Sequence, residues 1–175
     1  MPFMPQIAIT PDVRALLNAH AVVAVGVSGG KDSQACAIAV DHFLNEIGHV
    51  GPRILVHSDL GRVEWKDSHP VCEKLAERLN WELLTVRRKA GDMLDRWEGR
   101  WRANLSRYQH LESVKLILPW STPAMRFCTS ELKTDVICSA LKASDYDAVT
   151  SPPGRRAGLR SRYGRKEYVV IPFVQ

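Results

Sequence analysis

An α/β protein of three layers, with helices on both faces of a mostly parallel sheet of about five strands, is what the order of elements in this sequence predicts. Short apolar runs rich in β-branched residues recur at strand length, as in residues 21–27 and 53–57. Stretches with apolar residues at helical spacing separate them. A glycine- and serine-rich break follows the first run directly. Strand, loop and helix in repeated order make βαβ units, whose right-handed crossovers bring every strand-to-helix loop to one carboxyl edge.

Each element has its own reason. Thr10-Pro11-Asp12 reads as an N-cap, a proline at the first helical position and an early acid, so a helix should run to about residue 20. Residues 21–27, AVVAVGV, suit a strand buried on both faces. Ala37, Ile38, Val40, Phe43, Leu44 and Ile47 then fall at roughly helical spacing over residues 34–47, and Gly48 is a stop. Residues 53–57 are a second strand, 58–61 a loop, and 69–79 a helix with Val71, Leu75 and Leu79 on one face. Residues 81–86 are a third strand. A helix over 92–109 carries the stripe Met93, Leu94, Trp97, Trp101, Leu105 and Tyr108, which reads as core or as a dimer face. A further helix is expected over 130–141, a fourth strand over 147–150 and a fifth over 168–171.

Length and composition bound the function. A chain of 175 residues, 45% hydrophobic and 25% charged, can bury one core without staples. No apolar run approaches the ~20 residues of a membrane span, and MPFMPQIAIT lacks the basic start and long apolar stretch of a secretory signal. Cys36, Cys72, Cys128 and Cys138 form no CxxC pair, which suits reduced thiols and a cytoplasmic location. The net charge of +5 is local. Residues 1–150 are balanced, and residues 151–175 set six Lys/Arg against one Glu. The body is thus no basic nucleic-acid binder, and any role in binding nucleic acid belongs to the tail.

Ser28-Gly29-Gly30-Lys31-Asp32-Ser33 stands between a buried strand and a helix. Two glycines allow backbone angles closed to other residues, and successive N–H groups with a helix N-terminus make an anion nest. Lys31 adds a cation, Ser28 and Ser33 add hydroxyls, and Asp32 either caps the helix or helps hold a metal. The hexapeptide is neither GxxxxGK[ST] nor GxGxxG. It resembles the PP-loop of the Rossmann-like adenine-nucleotide α-hydrolase superfamily, which includes ATP pyrophosphatases, the ATP-using sulfurylase subunit and phosphoadenylyl-sulfate (PAPS) reductases.

Two more segments resemble the PAPS reductase branch. One is His57-Ser58-Asp59-Leu60-Gly61 followed by Glu64-Trp65, like that branch's second-strand loop. The other, Arg126-Phe127-Cys128-Thr129-Ser130-Glu131-Leu132-Lys133, is similar to its Arg/Trp–Cys–x–x–x–x–Lys segment near the phosphate and sulfate end. Together the three cover about residues 20–140 of a 1–150 PP-loop nucleotide-binding domain, with 151–175 as a basic, atypical or truncated tail. The resemblance implies ATP or PAPS as ligand, with attack at an α-phosphate, loss of pyrophosphate and Mg²⁺ as companion ion. Lys31, Arg126 and Lys133 are then the candidate catalytic cations beside Asp32, and Asp32 or Asp59 the carboxylate on the metal side. Ser28, Gly29, Gly30, Lys31, Asp32, Ser33, His57, Asp59 and Gly61 are the expected nucleotide contacts.

The remaining residues divide the alternatives. Cys128 precedes a helix start with Arg126 and Lys133 nearby, so it is either a thiol of lowered pKa or a half-buried hydrophobe. The resemblance implies a nucleophilic cysteine near the C-terminus of a PAPS reductase, and nothing after Cys138 is a cysteine. The cysteine pairs of an iron–sulfur cluster are absent too, and none is expected. His57 either touches base or phosphate or is satisfied by neighbouring backbone, and no histidine pair has metal-ligand spacing. Gly158-Leu159-Arg160 begins the family's phosphate-closing segment, which makes Arg160 a nucleotide contact, but Tyr163 and Gly164 replace its Glu-Ser. Three readings follow. The first is sulfur metabolism or sulfur transfer with pyrophosphate release. The second is a thiol-dependent reductase or sulfotransferase using a thiol or sulfur-donor partner. The third is a non-catalytic nucleotide module needing a partner subunit.

Overall fold

The computed structural model describes residues 7–122, 124–143 and 168–171. Helix α1 (Pro11–Asn18) is capped by Thr10, whose hydroxyl accepts from Val13 N. Strand β1 (Val22–Val27) leads into α2 (Lys31–Glu46), and β2 (Arg53–Asp59) leads through a 3-10 turn (Gly61–Val63) into α3 (Ser68–Leu79). Next come β3 (Glu82–Arg87) and α4 (Met93–Gln109). A helical segment then comprises α5 (Phe127–Thr129), a π-turn (Ser130–Thr134) and α6 (Asp135–Ala143). Strand β4 (Tyr168–Ile171) closes the set.

The four strands form one parallel sheet in the order β3-β2-β1-β4. Of the five expected strands, the one at 147–150 lies outside the described residues. The strand at 168–171 comes from the basic tail, pairs with β1 and so joins the body's sheet. The order reverses at β1, which puts the topological switch point, where open α/β sheets take ligands, at its carboxyl end.

Period-two alternation makes the layers. Val23, Val25 and Val27 face α1, α2 and α3 in one core with Leu16, Leu17, Ala37, Val40, Leu44 and Leu75. Val22 and Ala24 face the other way, with Ile54, Val56 and Leu141 of α6. Residues 21–25 are wholly buried, as their continuous apolar run requires. A smaller cluster of Met93, Phe127 and Leu132 joins α4 to the helical segment after it.

Two boundaries differ from the sequence reading. Helix α2 starts at Lys31 rather than 34, because Ser33 turns its hydroxyl back onto Gly30 O (2.8 Å) and holds the first turn closed. The helix expected over 130–141 starts at Phe127 and contains the π-turn. Trp97 packs on the Met93 cluster and Trp101 is half-buried, so the exposed apolar surface lies farther along, at Leu111, Val114, Leu118 and Trp120. No helix among the described residues is long and apolar enough to cross a membrane.

Candidate nucleotide site

The 28–30 turn is built by two constraints on Gly29. Its φ of +75° lies in the left-handed region, and a Cβ there would stand 2.8 Å from Cα and O of Ser68 at the start of α3. Only glycine lets the turn lie against that backbone. Ser33 is fully buried, and its Oγ accepts from Ser28 N (3.3 Å) while donating to Gly30 O. Gln34 Nε2 donates to Gly29 O (3.1 Å), a bracing contact with no signal in sequence. Gly30 caps α2 in extended geometry with no side-chain bond, so first-turn N–H groups have no side-chain acceptor. The Ser28 hydroxyl oxygen is buried and has no partner among the described residues.

This turn lines a cleft of about 520 Å³ at the carboxyl edge. The room comes from a taper in β1, where Val22, Ala24 and Gly26 shrink along the face toward α6. Ala24, Gly26 and Val56 line the cleft from the sheet, and Ile137 and Cys138 line it from α6. Ser58, Lys133 and Thr134 bring polar groups, and the loop after β2 brings Leu60, Val63 and Trp65 together with the carboxylates Glu64 and Asp67. This volume is in the range of small-molecule sites.

The loop after β2 is held by its own acids. Asp59 Oδ1 accepts from Gly61 N (2.7 Å), and Oδ2 lies 3.7 Å from Arg87 Nε. Gly61 has φ +73°, and a Cβ there would come within 2.4 Å of Asp92 Cβ. Glu64 Oε2 accepts from Leu60 N (2.7 Å). Arg62 forks onto Asp92 at 2.7 and 2.9 Å and also bonds Asp95, which ties the loop to the start of α4. The Arg62 guanidinium holds the Asp92 carboxyl far below the usual carboxylate range, and Asp95 N adds to the effect. Asp92 is also the N-cap of α4, reciprocally bonded with Asp95 in a capping box.

The 126–133 segment reaches the cleft through its second half. Ser58 Oγ donates to Leu132 O (2.5 Å), which pins the π-turn to the end of β2. Lys133 and Thr129 thereby line the cleft. Glu131 is gripped by Arg96 at 2.7 and 2.9 Å, and these bonds hold its carboxyl below the ordinary value, with Arg88 and Arg100 helping. Arg96 and Arg100 also lie over the Phe127 ring.

The expected site residues therefore separate. Ser28, Gly29, Gly30 and Lys133 line one cleft. Lys31 and Asp32 sit exposed on the first turn of α2, and Ser33 acts beneath the turn. Asp59 and Gly61 shape the adjoining loop, and neither lines the cleft. His57 is buried in the interior, its Nδ1 3.1 Å from Val27 O and its Nε2 3.7 Å from Glu64, so the backbone partner is the one realised. Arg126 is exposed at the cap of α5. Arg160 lies outside the described residues.

Cys128 packs on the Met93 cluster and accepts from Ser121 Oγ (3.1 Å), away from the cleft, whereas Cys138 lines it. Burial pushes the Cys72 thiol up to about 11, and Cys36 is raised for the same reason. Sequence reasoning missed Trp65, Ser68, Thr134 and Cys138 as cleft residues. Only Trp65 carried a hint, since it falls within a quoted motif. Among the described residues no group of three His, Cys, Asp or Glu could hold a metal ion.

Comparison of the chain with protein-family models, with curated proteins and with solved structures found no match.

Proposed function

We propose that this chain is a PP-loop protein that binds an adenine nucleotide, ATP or a (phospho)adenylyl sulfate, and that with ATP it cleaves between the α- and β-phosphates in sulfur metabolism or sulfur transfer. The observation that carries the reading is the 28–30 turn, glycine-only at Gly29, which leads into the uncapped start of α2 and lines a 520 Å³ cleft. A phosphate lying against this turn would meet its backbone N–H groups. The turn's N–H groups and the uncapped start of α2 favour the same anion. Lys133 brings a cation from across the cleft.

In the reaction an acceptor oxygen forms a bond to the α-phosphorus, and the bond to the bridging oxygen breaks. Pyrophosphate leaves with that electron pair. The chain contributes position and charge: the 28–30 turn and Lys133 hold the phosphates, and the apolar floor excludes water. A magnesium ion arriving with the nucleotide would neutralise phosphate charge, with Asp32, exposed on the first turn of α2, as its protein carboxylate, since Asp59 is held by Gly61 N and Arg87. Such an ion commonly takes one or two carboxylates plus phosphate oxygens rather than an all-protein cage.

A second reading, a thiol-dependent reductase or sulfotransferase, draws on Cys138, the thiol that lines the cleft. One experiment separates these. Purified chain is supplied with Mg²⁺ and either ATP plus candidate acceptors or PAPS plus a dithiol. Pyrophosphate release from ATP is the expected result. Sulfite release from PAPS, lost in Cys138→Ser, would replace the first reading by the second. Tight binding with no product would make the chain a nucleotide module that needs a partner subunit.

A further inference from the structure

Trp65 lines the cleft and is nonetheless 86% exposed, the most exposed tryptophan among the described residues. An indole carries a large apolar face, and such a face left open beside a ligand cleft is surface that an occupant can cover. Leu60, Val63 and Val71 line the cleft with it, and so do the polar Glu64, Asp67 and Ser68.

The backbone beneath the ring is held firmly. Trp65 O accepts from Ser68 N (3.0 Å), and Glu64 N donates to Gly61 O (2.9 Å). The Arg62–Asp92 pair and the Glu64–Leu60 bond fasten the same loop from either side. The ring therefore projects from a braced loop.

Its distance from the phosphate turn follows from the contacts. The Trp65–Ser68 bond closes a four-residue turn, whose end Cα atoms lie within about 7 Å. Ser68 Cα is 2.8 Å from where a Gly29 Cβ would stand. Trp65 Cα is thus no more than about 11 Å from the Gly29 Cα. The turn and the indole are therefore close enough for one small ligand to touch both.

We propose that Trp65 is the base-stacking platform of this site: with phosphates in the 28–30 turn, the flat face of the nucleobase lies against the indole. The inference rests on the nucleotide reading above and adds a specificity residue to it. Bases stack favourably on aromatic side chains, so the ring would make the site prefer a nucleotide over a bare polyphosphate.

The test is calorimetric titration of the full chain, with Mg²⁺, by ATP and separately by inorganic tripolyphosphate. Wild type, Trp65→Ala and Trp65→Phe are compared. Trp65→Ala should weaken ATP about tenfold and leave tripolyphosphate unchanged, and Trp65→Phe should keep most of the ATP affinity. Unchanged ATP binding in Trp65→Ala would overturn the proposal, as would an equal loss for both ligands. Wild type binding tripolyphosphate as tightly as ATP would leave the phosphate turn standing and overturn the stacking alone. Wild type binding neither would overturn the nucleotide reading and this inference with it.

Discussion

Gly29 is where backbone conformation and contact make the same demand. A methyl group there would meet a positive φ and also the Ser68 backbone, neither of which can yield like a flexible side chain. Gly29→Ala is expected to destabilise the fold by about 1–3 kcal/mol, read from chemical denaturation, with nucleotide binding lost in parallel. Asp92 makes a different demand. Its carboxyl is held low by Arg62, so the pair contributes stability above the unfolded carboxylate pKa of about 4 and loses it as pH falls below that. Asn is as good an N-cap as Asp, so Asp92→Asn removes charge and leaves much of the cap. Its destabilisation in urea titrations should be largest near pH 7 and shrink toward pH 3. A constant difference across that range would show that the charge pair contributes nothing. Half of the Arg62 side chain is exposed, so the effect should also fade in high salt.

At the scale of elements, β1 decides most. Its unbroken β-branched run reads directly as a strand buried on both faces, and the shrinking series Val22, Ala24, Gly26 opens the cleft on one of them. The strand was legible in sequence, but the taper gained meaning only once α6 was known to face it. Likewise α2 starts three residues before its apolar periodicity does, because Ser33, which closes the glycine-rich break in sequence, is the buried brace under the turn. The 126–133 motif was legible as a unit. The hydrogen bond that positions it was not, since Ser58 and Leu132 lie 74 residues apart. Ser58→Ala should cost about 1 kcal/mol in stability and weaken ATP binding, because Lys133 enters the cleft from the turn that this bond anchors. Undiminished ATP affinity in Ser58→Ala would detach the π-turn from the site. The Arg53–Asp41–Trp81 network at the opposite edge of the sheet was invisible for the same reason: its partners are 12 and 40 residues apart.

For the whole molecule, the strand order puts the switch point at the carboxyl end of β1, and the turn with the unpartnered serine stands there. The candidate cations Lys31, Arg126 and Lys133 and the expected nucleotide contact Arg160 do not converge equally. Lys133 lines the cleft, Lys31 and Arg126 are exposed beside it, and Arg160 falls outside the described residues. Periodicity could name the helices and strands carrying these residues, but not which side of a helix turn faces the ligand. The basic tail reads in sequence as an appendage, yet its residues 168–171 pair with β1, because four apolar β-formers can complete a sheet edge wherever the charge around them lies. In the proposed function the 28–30 turn and Lys133 together hold the phosphates of an adenine nucleotide. The most direct test is calorimetric titration with ATP and Mg²⁺ on the native chain, on Lys133→Ala and on Lys31→Ala. The expected result is micromolar binding that Lys133→Ala weakens about tenfold and Lys31→Ala weakens less. Absence of ATP binding by the native chain, or binding indifferent to Lys133, would contradict it.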